Sequence, residues 1–212
     1  MNQNNFIKTE KMPRRILSVF LALLMVLSSL APSVVFADDA VSVSTEAQLR
    51  TALASGSDVK VKLTQHINLQ DRIQIENGNT ADVDLDGHRL YRTLEKATAN
   101  GNIFYVASGA TLTVRDSAGI TGRVYGGWTT GNGGAIENHG TLEIRGGTFA
   151  ANTAQNGGAV FSDGKMTTYG GIFTGNTATW DGGAIKNNNV LFESTSGGGS
   201  QLWQNMCCIM AA

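Results

Sequence analysis

Asp82, Asp84 and Asp86 alternate with Val83 and Leu85. In an extended chain that spacing puts three carboxylates on one face and two aliphatic side chains on the other. Clustered carboxylates are Ca²⁺ ligands, and Arg89 and Arg92 follow closely. Carboxylates, a divalent cation and a basic side chain on one wall are equipment for cleaving a polysaccharide. Against this, a strand with one buried face simply shows polar residues to water, and Asp86-Gly87-His88 has the composition of a turn. No second acidic cluster appears at an offset that would bring a neighbouring strand into such a site. The three aspartates are therefore held as catalytic candidates, with the solvated strand as the expected outcome.

The other reactive side chains carry less. His66, His88 and His139 have no partner at metal-ligand spacing, so no metal and no cofactor is expected. Ser162-Asp163-Gly164 and Asp181-Gly182-Gly183 do not recur with a nonapeptide period, which leaves turns rather than a glycine-rich Ca²⁺ array. No Gly-x-Ser-x-Gly nucleophile elbow is present. Tyr125, Trp128 and Trp180 are the binding candidates. The two tryptophans stand shortly before Gly-Gly pairs, where a ring at a loop either stacks on a sugar or partner or shields the corner. Shielding is the expected role.

What must position these residues is a repeat. Gly133-Gly134-Ala135-Ile136 returns as Gly157-Gly158-Ala159-Val160 and again as Gly182-Gly183-Ala184-Ile185, the second interval one position longer than the first. Phe149-Ala150-Ala151-Asn152 returns as Phe173-Thr174-Gly175-Asn176, and Gly146-Gly147 returns as Gly170-Gly171, both at the first of those intervals. Within one unit, Thr141-Leu142-Glu143-Ile144-Arg145 alternates apolar with polar, the mark of a strand with one buried face.

A unit of this length, made of short strands and glycine turns, predicts an all-β fold: a right-handed parallel β-helix with coils of about 24 residues. Strands would pair with their counterparts one coil away at about 4.8 Å. The paired glycines would supply positive-φ corners. Asn152 and Asn176 would stack their amides, and Ile136, Val160, Ile185, Phe149 and Phe173 would fill the interior. A propeller blade needs about 40 residues per repeat, and a leucine-rich repeat needs leucine and asparagine spacings that are missing. Upstream, Val59–Leu63, Ile67–Leu69, Ile103–Val106 and Thr111–Asp116 read as further strands. Thr45–Ala54 reads as the one helix, with Ala47, Leu49 or Arg50, and Leu53 at helical spacing, placed to cap the open end of the stack.

The phrases Asp84-Leu85-Asp86-Gly87-His88-Arg89-Leu90 and Gly109-Ala110-Thr111-Leu112-Thr113-Val114-Arg115-Asp116-Ser117, with the Gly-Gly-Ala-Ile and Phe-x-x-Asn units, resemble large repetitive surface proteins of Gram-positive gut and oral bacteria. The last two units are also similar to the passenger domains of chlamydial polymorphic outer-membrane proteins, which are adhesins with a pectate-lyase-like β-helix. The resemblance covers about Val41 to Asn188. It implies the β-helix, display outside the cell, and adhesion to a host protein or glycan. The chain departs from these families in its shortness and in lacking a Leu-Pro-x-Thr-Gly motif.

Composition and compartment agree with this direction. The chain has 212 residues, and all 26 glycines lie after residue 37 while both prolines lie before it. Glycine at that density disfavours helix interiors, and collagen would need glycine at every third position with abundant proline. Lys8, Lys11, Arg14 and Arg15 precede an apolar run from Ile16 to Leu30, and Val35-Phe36-Ala37 offers a cleavage site, so residues 1–37 read as an export signal. Fifteen apolar residues span only about 22 Å as a helix, short of a bilayer core, so no transmembrane span is expected after cleavage. The remaining chain carries 12 basic against 16 acidic side chains, with no basic cluster for nucleic acid. Cys207 and Cys208 are adjacent and form no relaxed disulfide with each other.

The expected organisation is a signal at 1–37, a cap region at 38–58, β-helix repeats at 59–189 and an irregular, truncated or frameshifted tail at 190–212. The expected role is a non-catalytic adhesin-like module, secreted or associated with the cell wall or surface. The alternatives are a polysaccharide lyase or glycoside hydrolase, or a purely structural stalk. Edge-to-edge self-association of exposed strands is also expected.

Overall fold

The computed structural model describes residues 40–189. The export signal read at 1–37 and the tail at 190–212, with Cys207 and Cys208, lie outside the described residues.

The chain opens with β1 (Val41–Val43) and α1 (Glu46–Leu53), followed by β2 (Asp58–Leu63), β3 (Ile67–Asn68), β4 (Ile73–Ile75), β5 (Thr80–Asp84) and β6 (Arg89–Tyr91). After a longer excursion come β7 (Phe104–Val106), β8 (Thr111–Arg115), β9 (Arg123–Tyr125), β10 (Ile136–Asn138), β11 (Thr141–Ile144) and β12 (Thr148–Ala150). The last elements are β13 (Thr153–Asn156), β14 (Val160–Ser162), β15 (Lys165–Thr168), β16 (Ile172–Thr174), β17 (Thr177–Asp181) and β18 (Ile185–Asn187). Among the described residues the fold is all-β apart from α1. Every strand pairing is parallel, and each sheet takes one strand from each successive segment of chain, in the orders β1-β2-β5-β8-β11-β15, β4-β7-β10-β14-β18 and β3-β6-β9-β12-β16. A short fourth pair joins β13 to β17. This arrangement of stacked parallel strands in several sheets is compatible with a parallel β-helix.

The repeat spacing in the sequence is the register of the ladders. Ile136 pairs with Val160 and Val160 with Ile185. Leu142 pairs with Met166, and Phe149 with Phe173. The extra position in the second Gly-Gly interval is a β-bulge: Ala154 faces Ala178, but Asn156 faces Asp181, so Thr179 and Trp180 together oppose Gln155.

Period-2 alternation decides what is inside. In β2, β5, β8 and β11 the inward rows are Val59, Ala81, Leu112, Leu142 and Val61, Val83, Val114, Ile144, all buried. The β3 sheet contributes Ile67, Leu90, Val124 and Phe149, with Phe149 stacked on Phe173 at 5.0 Å. Burying each large side chain stabilises the fold by roughly 1.5–3 kcal/mol. Two internal rows are polar and are hydrogen-bonded both along the row and to neighbouring backbone. Asn138 Nδ2 donates to Ser162 Oγ at 2.8 Å, and Asn152 Nδ2 donates to Asn176 Oδ1 at 3.0 Å.

The Gly-Gly pairs of the repeat have two different causes. Gly133, Gly157 and Gly182 hold φ of 60°, 61° and 66°, the left-handed region open to glycine. Gly134 and Gly158 are instead glycines for want of space: a Cβ on either would strike the carbonyl oxygen of the glycine stacked next to it, Gly158 or Gly183. The expectation of positive-φ corners holds for the first glycine of this motif only.

Helix α1 is capped by Thr45, whose hydroxyl accepts from the Gln48 N–H, while Gln48 Oε1 accepts from the Ser44 N–H at 2.8 Å. Its buried face is Leu49, Ala52 and Leu53; Ala47 is exposed, contrary to the face read from the sequence. The i, i+3, i+4 set wins because it lies against β1 and β2.

Candidate functional site

The outer side of the β2–β5–β8 sheet holds the three aspartates, and there the solvated-strand expectation needs correction. Asp82 and Asp84 do share the outward face of β5, but Asp84 is only 1% exposed. Register puts Arg115 of β8 beside it, and the guanidinium lies 3.3 Å from Asp84 Oδ2 and 3.0 Å from Asp82 Oδ1. Asp84 Oδ1 accepts from the backbone N–H groups of Asp86 and Ser117 at 3.0 and 2.9 Å. Asp86, at φ 43° in the turn after β5, pairs with Lys62 at 3.2 Å and accepts from the Ser117 hydroxyl. Burial pulls the Asp86 carboxyl upward, and the Lys62 and Ser117 contacts outweigh it, holding the group below its ordinary value. Next to these, Asp116 accepts from the N–H groups of Gly87 and Gly122, both at 2.7 Å.

The acidic wall is thus a set of carboxylates neutralised by the neighbouring strands. The two arginines that follow in sequence do not join it. Arg89 stands on β6, in a different sheet. Arg92 is buried, and its guanidinium donates to the carbonyls of Gln70, Asn100 and Asn102, which pins the excursion between β6 and β7. Burial lowers the Arg92 pKa against the opposing pull of Asp71 and Glu46. Among the described residues no group of three or more His, Cys, Asp or Glu side chains is disposed to hold a metal ion.

The aromatic candidates separate. Tyr125 is half-buried and stacks on Tyr91 at 5.0 Å with planes 4° apart, the two rings being register partners on β9 and β6. Trp128 is 39% exposed; its backbone ties to Gly101 and Thr98 and bridges to Thr153. Trp180 is 70% exposed and sits on the β17 bulge. The ring is therefore largely open to solvent at a point where the strand carries an extra residue.

Two groupings escaped the sequence reading. On the β7–β10–β14 wall, His139 Nδ1 lies 2.6 Å from Asp163 Oδ1 and its Nε2 3.3 Å from Glu137 Oε1. The ring also packs between Tyr105 and Phe161, and Arg72 lies over Tyr105 at 4.4 Å. Both imidazole nitrogens face carboxylates of the chain itself. The signal for this was present, since Glu137-x-His139 and Phe161-x-Asp163 stand one repeat interval apart, but it mixes residue types and so is no visible repeat. The second grouping is the phrase Arg89-Leu90-Tyr91, which returns as Arg123-Val124-Tyr125 at an interval longer than that of the Gly-Gly repeat. Register pairs the two phrases residue for residue.

No family model, curated protein or solved structure matches the chain. No helix among the described residues is long and apolar enough to cross a membrane.

Proposed function

We propose that the protein is a secreted, non-catalytic surface module that binds through the outer walls of a right-handed parallel β-helix, in the manner of an adhesin. The observation that carries the non-catalytic part is the state of the carboxylates. Asp82, Asp84 and Asp86 are each engaged by Arg115, Lys62 or Ser117, and His139 lies against a carboxylate at both nitrogens, so each of these candidate groups already has a partner within the chain. The export signal read in the sequence supports the location. Stacked parallel sheets whose register follows the Gly-Gly-Ala-Ile repeat support the β-helix, and α1 over β1 and β2 supports a capped first coil.

A rigid stack whose interior is kept by alternation leaves its outer residues free to vary, and it offers extended contact rather than a deep pocket. The exposed rings of Trp128 and Trp180 suit such contact with a host protein or glycan. The opposite end from α1 supports self-association: β15, β16 and β18 are the last strands of their sheets among the described residues. Their inward side chains Met166, Phe173 and Ile185 are only partly buried. The test is retention of the purified protein on epithelial cells, mucin and a glycan panel, with Trp128→Ala and Trp180→Ala beside the wild type. Saturable binding weakened by either change supports the reading. A folded protein that binds none of these favours a structural stalk.

A further inference from the structure

We propose that the Arg89/Tyr91 and Arg123/Tyr125 wall is a binding site for an acidic glycan, which sets its carboxylate or sulfate groups against the paired guanidiniums and a sugar ring against the tyrosines. The proposal deepens the adhesin reading and rests on it.

Seven arginines lie among the described residues. Five have a defined partner: Arg50 binds Glu46, Arg72 lies over Tyr105, Arg92 donates to backbone carbonyls, Arg115 pairs with Asp82 and Asp84, and Arg145 pairs with Glu143. The side chains of Arg89 and Arg123 have no such partner among the described residues, and they are direct register neighbours on β6 and β9. Both are exposed, while Leu90 and Val124 between them and the tyrosines are buried in the core. Two like charges opposite each other on adjacent strands destabilise a sheet, and this arrangement occurs on a protein of net negative charge. An anionic group between the two guanidiniums removes that repulsion and satisfies forked donors that nothing among the described residues fills.

At the far end of the same two strands, on the same outward face, Tyr91 and Tyr125 stack in parallel at 5.0 Å. Both are half-buried, so part of the stacked pair reaches solvent on the face that carries the cations. Acid next to ring, repeated at strand spacing, is the pattern of a polymer of acidic sugars. The site is bounded on the β12 side, where Thr148, the next residue in the arginine row, is buried and donates its hydroxyl to the Ile120 carbonyl; on the β3 side the row continues with His66, whose Nδ1 accepts from the Arg89 N–H. A short oligosaccharide therefore suffices to fill it.

The experiment measures retention of the purified protein on immobilised heparin, polygalacturonate and neutral dextran, with Arg89→Ala/Arg123→Ala, Tyr125→Ala and Lys165→Ala as variants. The double arginine variant should bind the acidic matrices at least about tenfold more weakly, through lost charge-assisted hydrogen bonds. Its melting temperature should equal or exceed that of the wild type, because a repulsion has been removed. Tyr125→Ala should weaken retention on the acidic matrices, through the lost ring surface. Lys165→Ala, on another wall, should bind like the wild type. Preference for heparin or for polygalacturonate identifies sulfate or carboxylate as the anion. Equal binding by the double variant, or no binding of acidic over neutral matrix by a wild-type protein that still adheres to cells, overturns the site and leaves the adhesin reading standing. A wild-type protein that binds neither glycans nor cells overturns both.

Discussion

Asn152→Ala removes a buried amide that holds three successive segments together. The Asn152 Oδ1 accepts from the Gly127 N–H at 3.0 Å, and its Nδ2 donates to the Val124 carbonyl at 3.2 Å and to Asn176 Oδ1 at 3.0 Å. The residue is 0% exposed, so water cannot replace what alanine lacks. Asn176 Oδ1 keeps the Asn152 backbone N–H at 3.1 Å, which leaves the buried Gly127 N–H newly orphaned and removes the bonds to the Val124 carbonyl and to Asn176. At about 1–3 kcal/mol for the unsatisfied N–H and about 0.5–1.5 kcal/mol for each of the other bonds lost, a loss of about 3–4 kcal/mol is expected. For a domain of this size each ~1 kcal/mol moves the melting temperature by about 2–4 °C, giving a fall of roughly 6–16 °C. Urea and thermal unfolding followed by far-ultraviolet circular dichroism measure it. Asn152→Asp restores the acceptor for Gly127 but faces Val124 C=O and Asn176 Oδ1 with a carboxylate, so it should be no better than alanine at neutral pH. A loss below about 1 kcal/mol for Asn152→Ala would refute the claim that stacked amides close the backbone accounts of neighbouring repeats.

Gly158→Ala should abolish folding or cost several kcal/mol, since its Cβ would meet the Gly183 carbonyl, whereas Gly56→Ala, with only Val59 Cγ2 at 3.8 Å, should be nearly neutral; thermal melts of both compare them. Arg115→Ala leaves the buried Asp84 carboxylate without its cation and should destabilise by about 3–5 kcal/mol, measured by urea titration. Burial pulls the Glu46 carboxyl upward, but the N–H of Gln70, the Arg50 guanidinium and the N–H of Asp71 outweigh it and hold the pKa below the ordinary value. A carboxylate depressed in the folded state contributes stability above its unfolded pKa and loses it as pH falls through the folded one. Glu46→Gln should therefore melt lower than wild type at neutral pH, with the difference vanishing under acid; a difference constant with pH contradicts it. Concentration-dependent sedimentation should reveal association through the β15–β18 end, and Ile172→Lys, at an exposed position on that end, should reduce it.

The repeat was legible because the same residue types recur where the same environment recurs. Gly-Gly-Ala-Ile marks a point where one glycine needs left-handed φ and the next has a carbonyl against its Cα, and Phe149 and Phe173 mark one interior column. Both constraints admit few substitutes, so they survive as spelling. The outer walls obey no such rule. Asp84 looked solvated because alternation assigns a face but says nothing of what covers it; the covering group, Arg115, comes from the following segment of chain, which is longer than a regular repeat. Register partners upstream stand at unequal intervals, Val59 to Ala81 being shorter than the later repeat and Ala81 to Leu112 longer, which hid the early pairings from a search at one fixed period. The Arg-x-Tyr phrase was hidden in the same way, its interval stretched by the excursion that Arg92 pins. The exposure of Trp180 was not legible either, because the sequence records the β17 bulge only as one extra position between the second and third Gly-Gly pairs.

The most direct test of a binding wall against a catalytic one is turnover of polygalacturonate by the purified protein with and without Ca²⁺, followed by the absorbance of unsaturated products. The paired state of Asp82, Asp84 and Asp86 predicts that polymer is retained and no product appears under either condition. Unsaturated product that depends on Ca²⁺ and disappears with Asp82→Asn in a folded protein would contradict it.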